Sequence, residues 1–372
     1  MTTSAPLKRT PLFERHVALG ARVVEFGGWE MPVQYSGIIS EHQAVRNAAG
    51  LFDISHMGEI EVRGPGALAF LQHICTQDVA AIGVGMANYS LLCHPDGGIV
   101  DDVFVYHLPG YYLVVVNASN AAKDFAWMRE HAHGFDAELT DTSDATAMLA
   151  LQGPAAEGIL ARAAGADAAA LPFHGVATAT LLGDIPAIVA RTGYTGEDGF
   201  ELFVDNAGAV RLWDELLALG DDAGLKPCGL GARDSLRFEA CLPLYGHEIA
   251  DDINPYQAKL GWAVKLDKGA DFVGRDALAQ AKQAGVASKL AGFEMIDRGI
   301  ARGGYAICDA DGQPIGVVTT GMPAPTLGKN LGLGLVPAAL AAEGSEVFVL
   351  VRERPLRARV VKTPFYKPRY KK

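Results

Sequence analysis

The 372-residue sequence predicts an α+β fold that gives way, near residue 245, to a separate all-β domain. Three observations carry that expectation. Capped helical segments and short apolar strands mix without the regular βαβ beat of a doubly wound sheet. Beyond residue 245 the pattern breaks into short strands with closely spaced turn signals. The length exceeds what a single core usually serves, so two or three domains are expected.

Three helices announce themselves by their ends. "SEHQAVRNAAG" offers Ser40 as N-cap and Gly50 as the closing glycine, and "SNAAKDFAWMREHAHG" runs from Ser119 to Gly134 in the same style. "NAGAVRLWDELLALG" (206–220) places Val210, Trp213, Leu216 and Leu217 on one face. "GEIEVRG", "YYLVVVN", "IPAIVAR" and "FELFV" read as strands between Gly- and Asp-containing turns. The Ala-rich "ARAAGADAAALPF" (161–173) reads as a helix end and connection. In the last third, "GWAVKL", "LAGFEMI", "GYAICDADGQPIGVVTTG", "NLGLGLV" and "SEVFVLV" are expected strands, with "DADG" as a hairpin turn.

The net charge of −11 is unevenly placed. Residues 352–372 hold nine Lys/Arg and one Glu, leaving −19 on residues 1–351. An acidic body argues against nucleic acid as the main partner. The basic tail could attract an anionic ligand or partner protein, but a solvated terminus is the simpler and favoured reading. The five cysteines form no C-x-x-C pair and no zinc-like spacing, which suggests free thiols in a reducing compartment. The N-terminus lacks a signal-peptide core, and no apolar run approaches a membrane span. The expected location is the cytoplasm.

Familiar chemistries find no support. There is no Walker A sequence, no G-x-S-x-G elbow and no H-E-x-x-H. "GLGARD" (229–234) lacks the third glycine of a dinucleotide fingerprint. "HAH" (131–133) lies near a helix end, where i,i+2 side chains diverge, so it makes a poor metal site.

Polar residues in apolar surroundings remain. In "GGIVDDVFVY" the adjacent Asp101 and Asp102 interrupt a β-rich run where an uncompensated charge is expensive. In "RTGYTGEDGFELFV" (191–204) a glycine-punctuated turn feeds a strand whose alternation puts Glu201 and Phe203 on one face. That face is either a ligand wall or an exposed surface. In "GARDSLRFEACLPLYG" (231–246) Arg233 and Arg237 are i,i+4 neighbours on a helix. An arginine keeps its charge when desolvated and suits a buried polar ligand, whereas Arg237 reads more simply as half of a structural ion pair, with Glu239 as a candidate partner. Pro243 should end that helix by Leu242.

Seven segments in order, "MPVQYSGIISEHQAVRNAAGLFDISHMGEIEVRGPGALAFLQ", "DGGIVDDVFVY", "LVVVNASN", "LALQGP", "RTGYTGEDGFEL", "GARDSLRFEA" and "PTLGKN", resemble the aminomethyltransferases, the T proteins of the glycine cleavage system. The resemblance implies a three-domain cloverleaf around a central folate site: a discontinuous α+β domain (1–51 plus 137–244), an inserted α+β domain (52–136) and a C-terminal β-barrel-like domain (245–372). It implies transfer of a methylene carbon from the aminomethyl-dihydrolipoyl arm of the lipoylated H protein to tetrahydrofolate, with release of ammonia and no need of metal or flavin. By position, Asp102 matches the family's essential carboxylate, Glu201 and Arg233 the pterin-binding pair, and Met57 and Tyr194 the folate contacts. Asn117 and Tyr370 complete the set.

A carboxylate such as Glu201 can accept the amino group and ring N–H along one pterin edge, while Arg233 donates to the carbonyl side. Asp102 is expected to orient and activate the folate amine. Adjacent side chains on a strand face opposite ways, so Asp101 is expected to cap the turn or meet solvent. Two relatives of the fold are less favoured: the folate modules of sarcosine and dimethylglycine oxidation sit beside a flavin region for which this chain leaves no room, and the iron–sulfur maintenance proteins carry a K-G-C-Y-x-G-Q-E signature absent here. Leu242 stands where relatives often have a tyrosine or another residue, so a pterin contact from that position is not expected. Arg357, Arg359 and Lys362 are the basic residues expected to meet an acidic carrier.

Overall fold

The computed structural model describes residues 6–371. It holds a six-stranded sheet, a five-stranded sheet and a closed six-stranded barrel, with a small hairpin of Arg22–Phe26 and Trp29–Gln34 at the N-terminal end. The six-stranded sheet runs, in spatial order, Val176–Leu181, Ile185–Ala190, Gly199–Asp205, Thr146–Gln152, Ala49–Asp53 and Leu225–Pro227. The chain leaves this sheet at Asp53 and re-enters it at Thr146. Between those points it builds the second sheet, ordered Met86–Cys93, Ile99–Leu108, Tyr111–Val116, Gly58–Arg63 and Glu138–Asp141.

The expected alternation is present, and both faces of the key strand are buried. On Gly199–Asp205, Phe200, Leu202 and Val204 join one core with Trp213, Leu212 and Leu216 of the Asn206–Gly220 helix. Phe203, on the opposite face, packs into a second core with Tyr106 and Leu236, so this is no exposed strand face. The barrel closes through Ser288–Met295, Lys329–Pro337, Pro314–Ala324, Ala306–Cys308, Glu346–Val351 and Arg354–Val361. The "DADG" turn joins two of its strands as expected. "GWAVKL" departs from expectation: Gly261–Ala263 is a 3₁₀ turn, with Ala263 and Val264 buried in a cluster with Leu91 and Ile99.

The helix in "SEHQAVRNAAG" also differs in its ends. It spans Ile38–Asn47, so Ser40 lies inside it, and Gly50 belongs to the next strand. The cap comes from Glu41, a fully buried carboxylate that folds back to accept the backbone N–H of Tyr35, Ser36 and Gly37 (2.6, 2.8 and 3.0 Å) and of Gly229 (2.9 Å). Four donors stabilise its charge, the arrangement a buried acid requires. Gly50 is glycine for space, because a Cβ there would lie 2.4 Å from Val45 and 2.7 Å from the Cys228 sulfur.

Arg46, on the same helix and 3% exposed, joins the parts. Its guanidinium donates to Glu197 (3.0 Å), Glu239 (3.0 Å), the Thr195 carbonyl (2.7 Å) and, through Nε, the barrel's Thr326 hydroxyl (3.2 Å), and it lies 3.8 Å from the Tyr366 ring centre. Removing one partner of such a buried group strands the others. Arg46→Ala is expected to lower unfolding stability by about 3–5 kcal/mol, read from the denaturant midpoint. A loss below about 1 kcal/mol, the range of exposed pairs, contradicts this role.

Candidate active site

The Ile99–Leu108 strand lies second from one edge of the five-stranded sheet, paired with Met86–Cys93 and Tyr111–Val116. Its two faces have different chemistry. Val103 and Val105 share the parity of Asp101 and enter the apolar core, whereas Asp102, Phe104 and Tyr106 line a cavity of about 180 Å³. Six of the seven residues singled out in the sequence line that cavity: Met57, Asp102, Asn117, Tyr194, Glu201 and Arg233. The seventh, Tyr370, lines an adjoining, more apolar cavity of about 610 Å³, stacked on Phe173 at 4.9 Å. Tyr89, Phe104, Gly193, Leu242 and Pro243 wall both spaces, so they adjoin through shared side chains.

Asp101 contradicts the expectation that it caps a turn or meets solvent. It lies on the strand and is fully buried. It accepts the Asn117 backbone N–H (3.1 Å), the Asn117 amide Nδ2 (2.9 Å) and Asn120 Nδ2 (2.9 Å). Of the two only Asp102 lines the cavity, yet Asn117, just beyond the neighbouring strand, reaches both carboxylates. Its Nδ2 also donates to Asp102 Oδ1 at 2.6 Å. Burial, reinforced by the charge of Asp101, pushes the Asp102 carboxyl up to about 7, despite the opposing bond from Asn117. The Tyr89 hydroxyl faces Asp102 without closing a hydrogen bond.

Glu201 and Arg233 keep capacity in reserve. Thr192 (2.5 Å) and the Tyr106 hydroxyl (3.1 Å) both donate to Oε2 of Glu201, and Oε1 receives no protein donor among the described residues. Burial raises the pKa of Glu201. Arg233, at the start of the Leu230–Glu239 helix, makes no ion pair or side-chain hydrogen bond among the described residues, and burial lowers its pKa. Its guanidinium lies 4.6 Å from the Tyr194 ring centre. The Tyr194 hydroxyl is already spent on the Pro243 carbonyl, which leaves the ring for stacking. Gly193 holds this turn tight against the sheet, since a Cβ would sit 2.0 Å from Gln152 Oε1.

One helical turn on, Arg237 is structural: it pairs with Glu248 (2.7 Å) and Asp234 (2.8 Å) and donates to Thr320 (3.1 Å). Glu239, its candidate partner in the sequence, pairs with Arg46 instead. The helix ends at Glu239, before Pro243 as expected.

Sequence reasoning missed Tyr89, Tyr106, Thr192 and His56, all beside this site. Tyr106 was within reach, because period two from Asp102 arrives at it. His56 lines the cavity, and burial together with Arg233 lowers its pKa to about 4, so it is neutral near pH 7. Among the described residues no group of three His, Cys, Asp or Glu side chains is arranged to hold a metal, and His131 of "HAH" stacks on Trp127.

The family model described as "GCVT N-terminal domain" matches residues 12–268, and "Glycine cleavage T-protein C-terminal barrel domain" matches 289–367. An aminomethyltransferase of Herpetosiphon aurantiacus is 57% identical over 367 residues, covering 98% of this chain and 100% of its own. One from Symbiobacterium thermophilum is 55% identical over 367 residues, 97% of this chain and 98% of its own. The crystal structure of glycine cleavage system aminomethyltransferase T from Bartonella henselae matches with a TM-score of 0.90 at 37% identity, over 98% of this chain and 100% of that one. The fold and these relatives define an enzyme of the transferase class. The chain belongs to the glycine cleavage T-protein family, the aminomethyltransferases.

The raised Asp102 carboxyl makes a stability prediction. Between its ordinary value of 3.8 and about 7, the unfolded chain is ionised here while the folded protein retains the proton. Folding stability therefore falls as pH rises through that window. Asp102→Asn abolishes the penalty, so its melting temperature should exceed the parent's at about pH 8, with the gap closing toward about pH 4. An offset equal at both pH values contradicts the raised pKa.

Proposed function

We propose that this enzyme moves the methylene carbon of an aminomethyl group, carried as a thioether on the dihydrolipoyl arm of the lipoylated H protein, to tetrahydrofolate, releasing ammonia. One observation carries the reading. A carboxyl of raised pKa, Asp102, shares a cavity with an arginine whose donors are unspent and a glutamate with one free oxygen. That set complements a pterin, which offers an amino group and ring N–H to Glu201 and a carbonyl to Arg233. Leaving buried groups unpaired costs about 1–3 kcal/mol each, which selects against rings that present a different edge.

The chemistry balances without a redox partner. The carbon's bonds to sulfur and to the amine nitrogen break, and bonds to two folate nitrogens form. The two protons those nitrogens lose end on the thiol and on ammonia, and the carbon keeps its oxidation level. Neither metal nor flavin is required. Asp102 orients the folate amine, takes up its proton and offsets the positive charge that develops on nitrogen. A base poised near neutral pH is well matched to that task. Tyr194 supplies a ring face and Met57 an apolar wall, and Asn117 holds Asp102 in place. The larger cavity, with Phe173 and Tyr370, takes the p-aminobenzoyl end of the folate.

For the architecture we assign residues 1–51 with 137–244 to one domain, 52–136 to an insertion and 245–372 to the barrel-bearing domain. The departure of the chain from the six-stranded sheet at Asp53 and its return at Thr146 support this, with Glu138–Asp141 pairing back onto the inserted sheet. Five cysteines without a disulfide support a reducing, cytoplasmic setting. No helix among the described residues is long and apolar enough to cross a membrane.

The test supplies aminomethyl-loaded H protein and tetrahydrofolate and follows methylenetetrahydrofolate and ammonia. Both products should appear only when carrier and folate are present together. Asp102→Asn should reduce turnover by about 10²–10⁴-fold, and Glu201→Gln should act chiefly through KM for tetrahydrofolate. Folate binding without turnover, or near-normal turnover by Asp102→Asn, contradicts the reading.

A further inference from the structure

Behind the site lies a third carboxyl with no role in the mechanism so far. Asp124, in the first turn of the Ala121–His131 helix, is fully buried, and neither of its oxygens has a hydrogen-bond donor among the described residues. Asn120 joins it to Asp101: the Asn120 carbonyl accepts the Asp124 N–H at 2.8 Å, and the Asn120 amide donates to Asp101 at 2.9 Å. Two buried carboxyl groups bridged by one asparagine resist being ionised together, and Asp101 helps to hold the proton on Asp124. The N–H donors decide which is neutral. Asp101 receives three of them, from Asn117 and Asn120, whereas Asp124 receives none. A carboxylate has about four acceptor positions, so Asp101 has one left for the Asp124 O–H.

We propose that Asp124 is a positioning residue: its neutral carboxyl donates to Asp101, and Asp101, through the Asn117 amide, fixes the orientation and charge state of Asp102 in the cavity. Asn117 is the link because its amide nitrogen serves Asp101 at 2.9 Å and Asp102 at 2.6 Å. With carboxyl groups on both sides the amide must present nitrogen, and any turn of Asp101 carries that donor off Asp102. Burial and then Asp101 push the Asp124 pKa up to about 11, which agrees with a proton kept throughout the working range.

The other groups around this cluster do not replace the donor. Lys123, the neighbour most able to neutralise Asp124, is spent on the Val100 carbonyl (2.6 Å) and the Tyr245 hydroxyl (3.0 Å). The Tyr245 pKa is raised first by burial and then by Asp251, with Asp101 and Asp124 contributing less. The Asn120 amide is committed to Asp101, and its backbone carbonyl accepts the Asp124 N–H at 2.8 Å.

The inference rests on Asp102 being the working carboxyl, and the experiment separates the two claims. In Asp124→Ala, Asp101 loses a donor and bears more of its charge toward Asp102. The acid limb of the kcat–pH profile should then move up by about one pH unit, which lowers kcat by about 10-fold on that limb, with KM for tetrahydrofolate little changed. Asp124→Asn keeps an N–H donor in the same place and should restore both. An unmoved limb in Asp124→Ala, or an Asp124→Asn as impaired as Asp124→Ala, overturns the proposal. A second readout needs no turnover. The infrared difference spectrum of the resting parent against Asp124→Asn at neutral pH should show a protonated-carboxyl C=O band, and its absence overturns the proposal. If Asp102→Asn proved fully active, that band would still report on Asp124, so failure of the functional reading is distinguishable.

Discussion

The buried guanidinium of Arg46 is the constraint on which the rest depends. It ties the Ile38–Asn47 helix to Glu197 in the turn that feeds Glu201, and to Glu239 at the end of the helix that begins near Arg233. Thr326 of the barrel and Tyr366 of the tail close around the same group. Two glutamates buried near one arginine would be costly if any distance were relaxed, because each charge is out of water and relies on the others. That cost fixes geometry. The Glu201 and Arg233 side chains come from elements distant in sequence, and their mutual placement is inherited from a contact that lies outside the cavity.

The cavity applies the opposite rule. Among the described residues, where Arg46 uses its donors fully, Arg233 keeps its own free, and Glu201 spends one oxygen and reserves the other. Asp102 is bonded yet has its acidity weakened by burial and by Asp101. Unspent polar capacity in a buried wall costs stability in the empty protein and is recovered when a complementary ligand arrives. The neutral His56 adds no competing positive charge beside Arg233.

Much of this was legible in the sequence where periodicity or turn chemistry governs. The Asn206–Gly220 helix, the alternation in "FELFV" and the barrel hairpin at "DADG" follow from local pattern. Placing Asp102, Glu201 and Arg233 as site residues drew also on the family resemblance, while period two alone leads from Asp102 to Tyr106. What pattern did not give were contacts between distant segments. Glu41 caps its helix by turning back on Tyr35, Ser36, Gly37 and Gly229, so a search for Ser or Asp just before the helix chose Ser40. Asp101 looked like a surface acid because Asn117 and Asn120, which make its burial tolerable, lie on other elements. "GWAVKL" has a strand's composition, but packing against Leu91 and Ile99 selects a 3₁₀ turn. Tyr370 belongs to the neighbouring cavity, a division that no local pattern marks.

The smaller cavity should take the pterin with its donor edge on Glu201 and its reacting nitrogens at Asp102. The most direct measurement is a crystal structure with an N5-substituted tetrahydrofolate that cannot turn over. We expect the amino group and ring N–H on the Oε1 side of Glu201, the ring carbonyl at Arg233, the ring stacked on Tyr194, N10 beside Asp102 and the p-aminobenzoyl group in the larger cavity. A pterin lodged in the larger cavity, or one bound with its donor edge away from Glu201, would contradict it.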